Sequence, residues 1–242
     1  MAELGVREIV TAEQERALGN AYFEALCTEQ AEYALGGALA KRFLPDVIPF
    51  GGLREDTVEA LDALKALMEP GEKLFVMSRG ALPQAGLVEL ASIEGRLMVL
   101  PESAPESEPV VGSPEIEELG PENFAEMIAL KAVAFPGFFG PRAAMLGKFA
   151  GIRVDGALVA MVGERLAVPG MREISAVCTH PEHRGRGYAE MLIRHRIRAE
   201  ARTGWRSFLG VDASNLKAQA IYRRLGFVPV HTVYWHHLQR PV

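Results

Sequence analysis

The chain has 242 residues, of which 49% are apolar and 24% charged. This is the profile of an ordinary globular protein with room for one large or two small domains. Its two cysteines, Cys27 and Cys178, are too far apart for metal-ligand spacing and demand no oxidising compartment. No run of ~18 apolar residues suggests a membrane span, and the opening MAELGVREIV lacks the basic start and apolar core of a signal peptide. A cytoplasmic protein with no membrane partner is therefore expected. The net charge of −5 is unevenly spread. Residues 1–120 hold 9 basic and 22 acidic side chains, and residues 121–242 hold 17 and 9. Two solvated faces of opposite sign would account for this, as would a basic half that holds an anionic ligand.

In chain order, Leu18, Tyr22, Leu26 and Tyr33 are spaced for a helix over 13–35, and a second helix is predicted over 56–68, ending before Pro70-Gly71. Residues 73–78, 86–93 and 96–100 read as three strands. Residues 101–114, rich in proline and glutamate, read as a linker, with a domain boundary near 110. Beyond it come a short strand (115–119), a helix (121–134), and a Gly/Pro loop (135–142) carrying three phenylalanines. A hairpin turning at Asp155-Gly156 follows, then a strand ending near Thr179, a helix (187–202), a strand (206–212), a helix (216–225) and a last strand (230–238).

The stretch SAVCTHPEHRGRGYAEMLI (175–193) places Arg-Gly-Arg-Gly between a strand and a helix. Pro181 ends the strand. Gly185 and Gly187 allow close backbone approach, and the helix start offers N–H groups that have no intrahelical partner. With the helix dipole and the charges of Arg184 and Arg186, this makes an anion site suited to a phosphate or pyrophosphate. The Walker pattern is absent, and Glu190 stands where a dinucleotide-binding fingerprint needs glycine.

The pattern Arg184-x-x-Gly187-x-Ala189 resembles the Arg/Gln-x-x-Gly-x-Gly/Ala signature of the GCN5-related N-acetyltransferase (GNAT) superfamily. The segment from Asn215 through Tyr222 to Gly226-Phe227 resembles the one that closes that fold, and the likeness covers roughly residues 115–238. It has some similarity to the glycine N-acyltransferase-like branch, where tandem modules occur. The resemblance implies an α/β (α+β) fold. A GNAT domain with a mixed, splayed central sheet flanked by helices would span 111–242. An N-terminal α/β domain over 1–110 would be a degenerate GNAT-like half. No pyrophosphate motif precedes residue 115, so a single cofactor site is expected.

The resemblance further implies acetyl-CoA as co-substrate, no metal, and an amine of a small molecule or peptide as acceptor. The pyrophosphate would sit on the N–H groups of Arg184, Gly185, Arg186, Gly187, Tyr188 and Ala189. Backbone groups of Val177, Cys178 and Thr179 would bind the pantetheine arm, with an N–H near Val177 facing the oxyanion. Asn215 would bond the pantetheine or cap the next helix. Tyr222 would be the general acid and Glu173 the general base, with Glu164 as competitor and His180 shaping the loop. The acidic half is expected to cover the acceptor end and favour a cationic or amine-bearing substrate, with the loop 135–142 lining the pocket. Arg194, Arg198 and Arg202 form a basic helix face. A homodimer through the last strand, a nucleic-acid module and a CoA-binding domain without catalysis are the alternatives the sequence leaves open.

Overall fold

The computed structural model describes residues 9–102, 114–135, 139–140 and 142–242. The expected linker and boundary near 110 lie almost wholly outside the described residues. The chain opens with two short helices, α1 (Ala12–Gly19) and α2 (Ala21–Cys27), in place of one long one. Thr11 and Gln14 form a capping box at the start of α1. Asn20 breaks the run with non-helical backbone, and its side-chain amide donates to the Leu53 carbonyl at 2.7 Å. The remainder of the expected helix turns into strand β1 (Ala34–Gly36).

Two strands not foreseen from sequence follow, β2 (Ala40–Phe43) and β3 (Phe50–Leu53). Then come α3 (Val58–Ala66), capped by Thr57, and β4 (Lys73–Ser78). The two strands expected over 86–100 are a single twelve-residue strand, β5 (Val88–Val99). Gly95 lies inside it, where a Cβ would overlap the Trp235 ring. The second half runs β6 (Glu117–Leu119), α4 (Phe124–Ala134), β7 (Phe149–Val154) and β8 (Ala157–Val168). It continues through β9 (Met171–Thr179), α5 (Tyr188–Ala201) and β10 (Arg206–Asp212), and ends with α6 (Leu216–Arg224) and β11 (Val228–Gln239). The β7–β8 turn is at Asp155-Gly156, both with positive φ, as expected of this hairpin.

All eleven strands share one sheet in the order β1-β2-β3-β4-β11-β5-β10-β9-β8-β7-β6. Two pairs are parallel, β3 with β4 and β9 with β10, and each is joined by a crossover helix, α3 or α5. The strand order thus reads similarly from either side of the central β11–β5 pair. The central strands are exchanged. β5 precedes residue 110 yet pairs with β10, and β11 follows it yet pairs with β4. Both edges of β11 are therefore occupied, so the last strand cannot pair across a dimer as the sequence suggested.

One core mixes both parts of the chain, joining Leu18, Tyr22 and Leu26 of the first helices to Phe43, Val99, Leu166 and Phe208. A second core packs α5 and α6 against the sheet through Leu192, Ile193 and Phe227. No helix among the described residues is long and apolar enough to cross a membrane.

Candidate functional site

Strands β9 and β10 pair for only three residues, Met171–Glu173 against Arg206–Phe208, and then part. On its other edge β9 keeps its ladder to β8, with a register shift between Ser175 and Cys178. Ala176 in that bulge has φ 52°, a left-handed conformation that costs a β-carbon residue about 1 kcal/mol or more. The bulge and the parting leave the end of β9, through Val177, Cys178 and Thr179, without a strand partner on the β10 side.

Beyond β9 the chain makes one 3-10 turn at Pro181–His183, where the His180 ring accepts from the Glu182 N–H. Gly185 and Gly187 then take φ 79°, and a Cβ at either would meet nothing within 4 Å. Gly187 is the N-cap of the fourteen-residue α5 and supplies no side chain to it, so the first N–H groups of the helix remain bare. The Arg184 guanidinium is tied to the Ala134 carbonyl (2.8 Å) and to Thr179 (3.3 Å), so it braces the loop against α4. Glu190, an awkward neighbour for a phosphate by sequence, is paired with Arg194 (2.8 Å) and Arg224 (3.5 Å). The Arg194 hydrogen bond leads the causes that hold its carboxyl below the usual range.

A cavity of about 900 Å³ runs from this loop through the gap between β9 and β10. Its wall includes Arg184, Gly187 and Tyr188 of the loop, Cys178 and Tyr222, and the aromatic residues Tyr22, Phe50, Phe75 and Trp235. Burial first, and then the Glu173 charge, raise the Tyr222 phenol above its ordinary value. Burial likewise pushes the Cys178 thiol up to about 11, so it stays protonated at neutral pH. Asn215 is on the wall, and its side chain accepts from the Ala218 N–H at 3.0 Å, capping α6.

Glu173 is 2% exposed and is absent from the cavity wall. Both its oxygens accept from Arg165, at 2.8 and 2.6 Å. Arg165 does line the cavity, with its guanidinium 5.0 Å from the Phe50 ring centre. Glu164, one residue earlier on β8, is held by Arg172 (2.6 Å) and Arg196 (3.7 Å). Lys131 of α4 is buried on the cavity wall, donates to the Phe135 carbonyl and lies 4.5 Å from that ring. Burial, followed by repulsion from Arg165, lowers its pKa. Among the described residues, those contributed before 110 are Tyr22, Ile48, Phe50, Phe75 and Ile93. None is acidic, so the expected acidic cover is replaced by an aromatic and apolar one. Phe135 and Phe139 of the expected loop line the cavity, while Pro136, Gly137, Phe138 and Pro141 lie outside the described residues.

Sequence reasoning placed Tyr222 and the glycine loop on this cavity but missed Arg165, Lys131, Tyr22 and Trp235. A usable signal existed for Arg165. A charged pair inside the apolar run ALVAMVGERLAV must be buried with partners or face a cavity. Among the described residues no group of three or more His, Cys, Asp or Glu is arranged to hold a metal.

The FR47-like protein family matches residues 150–236. A GNAT-family protein from Novosphingobium aromaticivorans DSM 12444 is 29% identical, with TM-score 0.84, over 93% of this chain and 99% of its own. A GCN5-related N-acetyltransferase from Kribbella flavida is 17% identical, with TM-score 0.63, over 96% and 97%. At that identity its likeness concerns the fold alone. No curated protein matches this sequence.

Proposed function

We propose that this chain, similar to the FR47-like family over residues 150–236 and to a GNAT-family protein over most of its length, is a GNAT acyltransferase that moves an acetyl group from acetyl-CoA to a primary amine. The observation that carries the reading is the bare backbone path. An uncapped helix start with two left-handed glycines leads directly into the gap where β9 leaves β10. Such a path suits a pyrophosphate followed by a long polar arm.

The N–H groups of residues 184–189 would hold the pyrophosphate, and those of Val177, Cys178 and Thr179 the arm. In the transfer the amine nitrogen bonds the carbonyl carbon and the carbon–sulfur bond breaks. A backbone N–H near Val177 faces the transient oxyanion. Tyr222, kept protonated by burial, donates its proton to the departing sulfur, and the proton that the nitrogen loses as the amide forms passes to solvent, from which the phenol is reprotonated.

We assign Glu173 to positioning Arg165 in place of the base role, because its carboxylate is buried and doubly bonded to that guanidinium. The amine still has to attack uncharged. Lys131 and Arg165, both on the wall, favour its neutral form by disfavouring another positive charge nearby. The basic half also spends Arg153, Arg165, Arg172 and Arg196 on ion pairs within the chain. That argues for a small anionic ligand over a nucleic-acid backbone.

The test is acetyl-CoA binding by calorimetry for the wild type and Gly187→Trp. We expect micromolar binding, weakened at least ~30-fold in the variant by blockage of the phosphate site, with the far-ultraviolet spectra unchanged. Equal binding by two folded proteins would refute the site.

A further inference from the structure

The acceptor end of the cavity carries two hydrogen-bond donors with nothing to donate to. Arg165 uses Nε and Nη2 on Glu173, and its Nη1 has no partner among the described residues. Tyr22 is 3% exposed, and its hydroxyl likewise makes no hydrogen bond to a described residue. The two belong to one cluster. Tyr22 stacks on Phe50 with ring centres 4.4 Å apart, and Arg165 lies 5.0 Å from the same ring. Both line the cavity.

Glu173 is committed to Arg165, Glu164 on the wall is committed to Arg172, and none of the described first-half residues on the wall is acidic. Lys131 adds a second nearby nitrogen donor. A planar guanidinium edge and a phenol hydroxyl that line one cavity and pack on the same ring match a planar oxyanion. Around these donors the walls are flat and apolar. Phe75 meets Phe50 edge-on at 6.2 Å, and Trp235 covers Gly95 and Gly210, where any side chain would collide with its ring.

We propose that the acceptor is an amine that also carries a carboxylate and an apolar or aromatic body, such as a hydrophobic amino acid, with the carboxylate on Arg165 Nη1 and the Tyr22 hydroxyl. This rests on the acyltransferase reading above and narrows its substrate class. In it Glu173 is a positioning residue. It fixes the guanidinium so that one edge faces the cavity.

The test compares phenylalanine with phenylalaninamide, which keeps the amine and the ring but lacks the carboxylate. Binding is measured by calorimetry on the full chain, with and without saturating CoA. The wild type should prefer phenylalanine by about 30-fold, the worth of a charge-assisted hydrogen-bond pair. Arg165→Lys, which keeps the charge but loses the fork, should reduce that preference at least ~5-fold. Tyr22→Phe, which removes only the hydroxyl and leaves the stack on Phe50, should weaken phenylalanine about 5-fold and phenylalaninamide hardly at all. Equal binding of the two ligands, no binding of either, or an undiminished preference in both variants would overturn the proposal. Failure of CoA itself to bind would instead count against the acyltransferase reading, and the arm without CoA would still decide between the ligands.

Discussion

At Tyr222 the phenol is buried and feels the Glu173 charge, and both effects hold its pKa above the ordinary 10. A general acid works while protonated, so the rate attributable to Tyr222 is lost only as pH rises through that raised value. The wild-type kcat profile should therefore stay level to pH 10 before falling. Tyr222→Phe should lower kcat about 100-fold, change the KM for acetyl-CoA little, and remove that alkaline limb. Following CoA release against pH checks all three, and a wild-type profile that turns down well below pH 10 assigns the acid to another group. Arg165 and Glu173 show how a residue-scale expectation changes in three dimensions. The family resemblance drew attention to Glu173, but position along one strand is silent about Arg165 on the neighbouring one.

Helix α5 follows the glycine loop at one end and carries a buried carboxyl, Glu200, at the other. Glu200 accepts a hydrogen bond from Ser207, and its other oxygen has no partner. Burial, the largest cause, pushes its pKa up to about 8. A carboxyl raised in the folded state binds a proton that the unfolded chain releases. Its penalty is therefore absent below the unfolded value near 4.5, grows as pH rises, and levels off above about 8. Glu200→Gln should stabilise the protein by about 1–3 kcal/mol at neutral pH and hardly at all at acid pH. Thermal melts across that range measure it, and a variant equally stabilised at every pH would show that Glu200 is not held protonated. Elements with strong local signals, such as α5, β10 and α6, were legible to within a residue or two. The first helix was not, because Asn20 leaves the helical pattern to bond Leu53 of a distant strand.

Across the molecule, the exchange of β5 and β11 ties the two parts of the chain into one sheet. Residues 114–242 alone would leave β10 without the five partners it has on β5 and β11 without either neighbour. We expect that fragment to be unfolded or aggregated alone, and to gain native circular dichroism when co-expressed with residues 1–102. A soluble, cooperatively melting fragment would contradict this. The outer strands β1 and β6 are only three residues each, which limits further edge pairing. The other parallel pair is packed closely against α2. At Gly52, beside β4, any Cβ would strike the backbone of Phe23 in α2, and the following turn carries Glu55 and Asp56.

The sequence by itself determined the glycine loop before α5 and the position of Tyr222. Those depend on local conformation, on left-handed glycines and on a helix start, which short-range sterics specify. Only the tertiary structure decided the strand order, the aromatic cover over the acceptor end and the pairing of Glu173 with Arg165. Each joins residues far apart in the chain, and no local preference encodes which distant strand a segment will meet. The charge split was legible from the first reading. That the acidic half would present rings to the cavity followed only from which side chains the shared core turned inward.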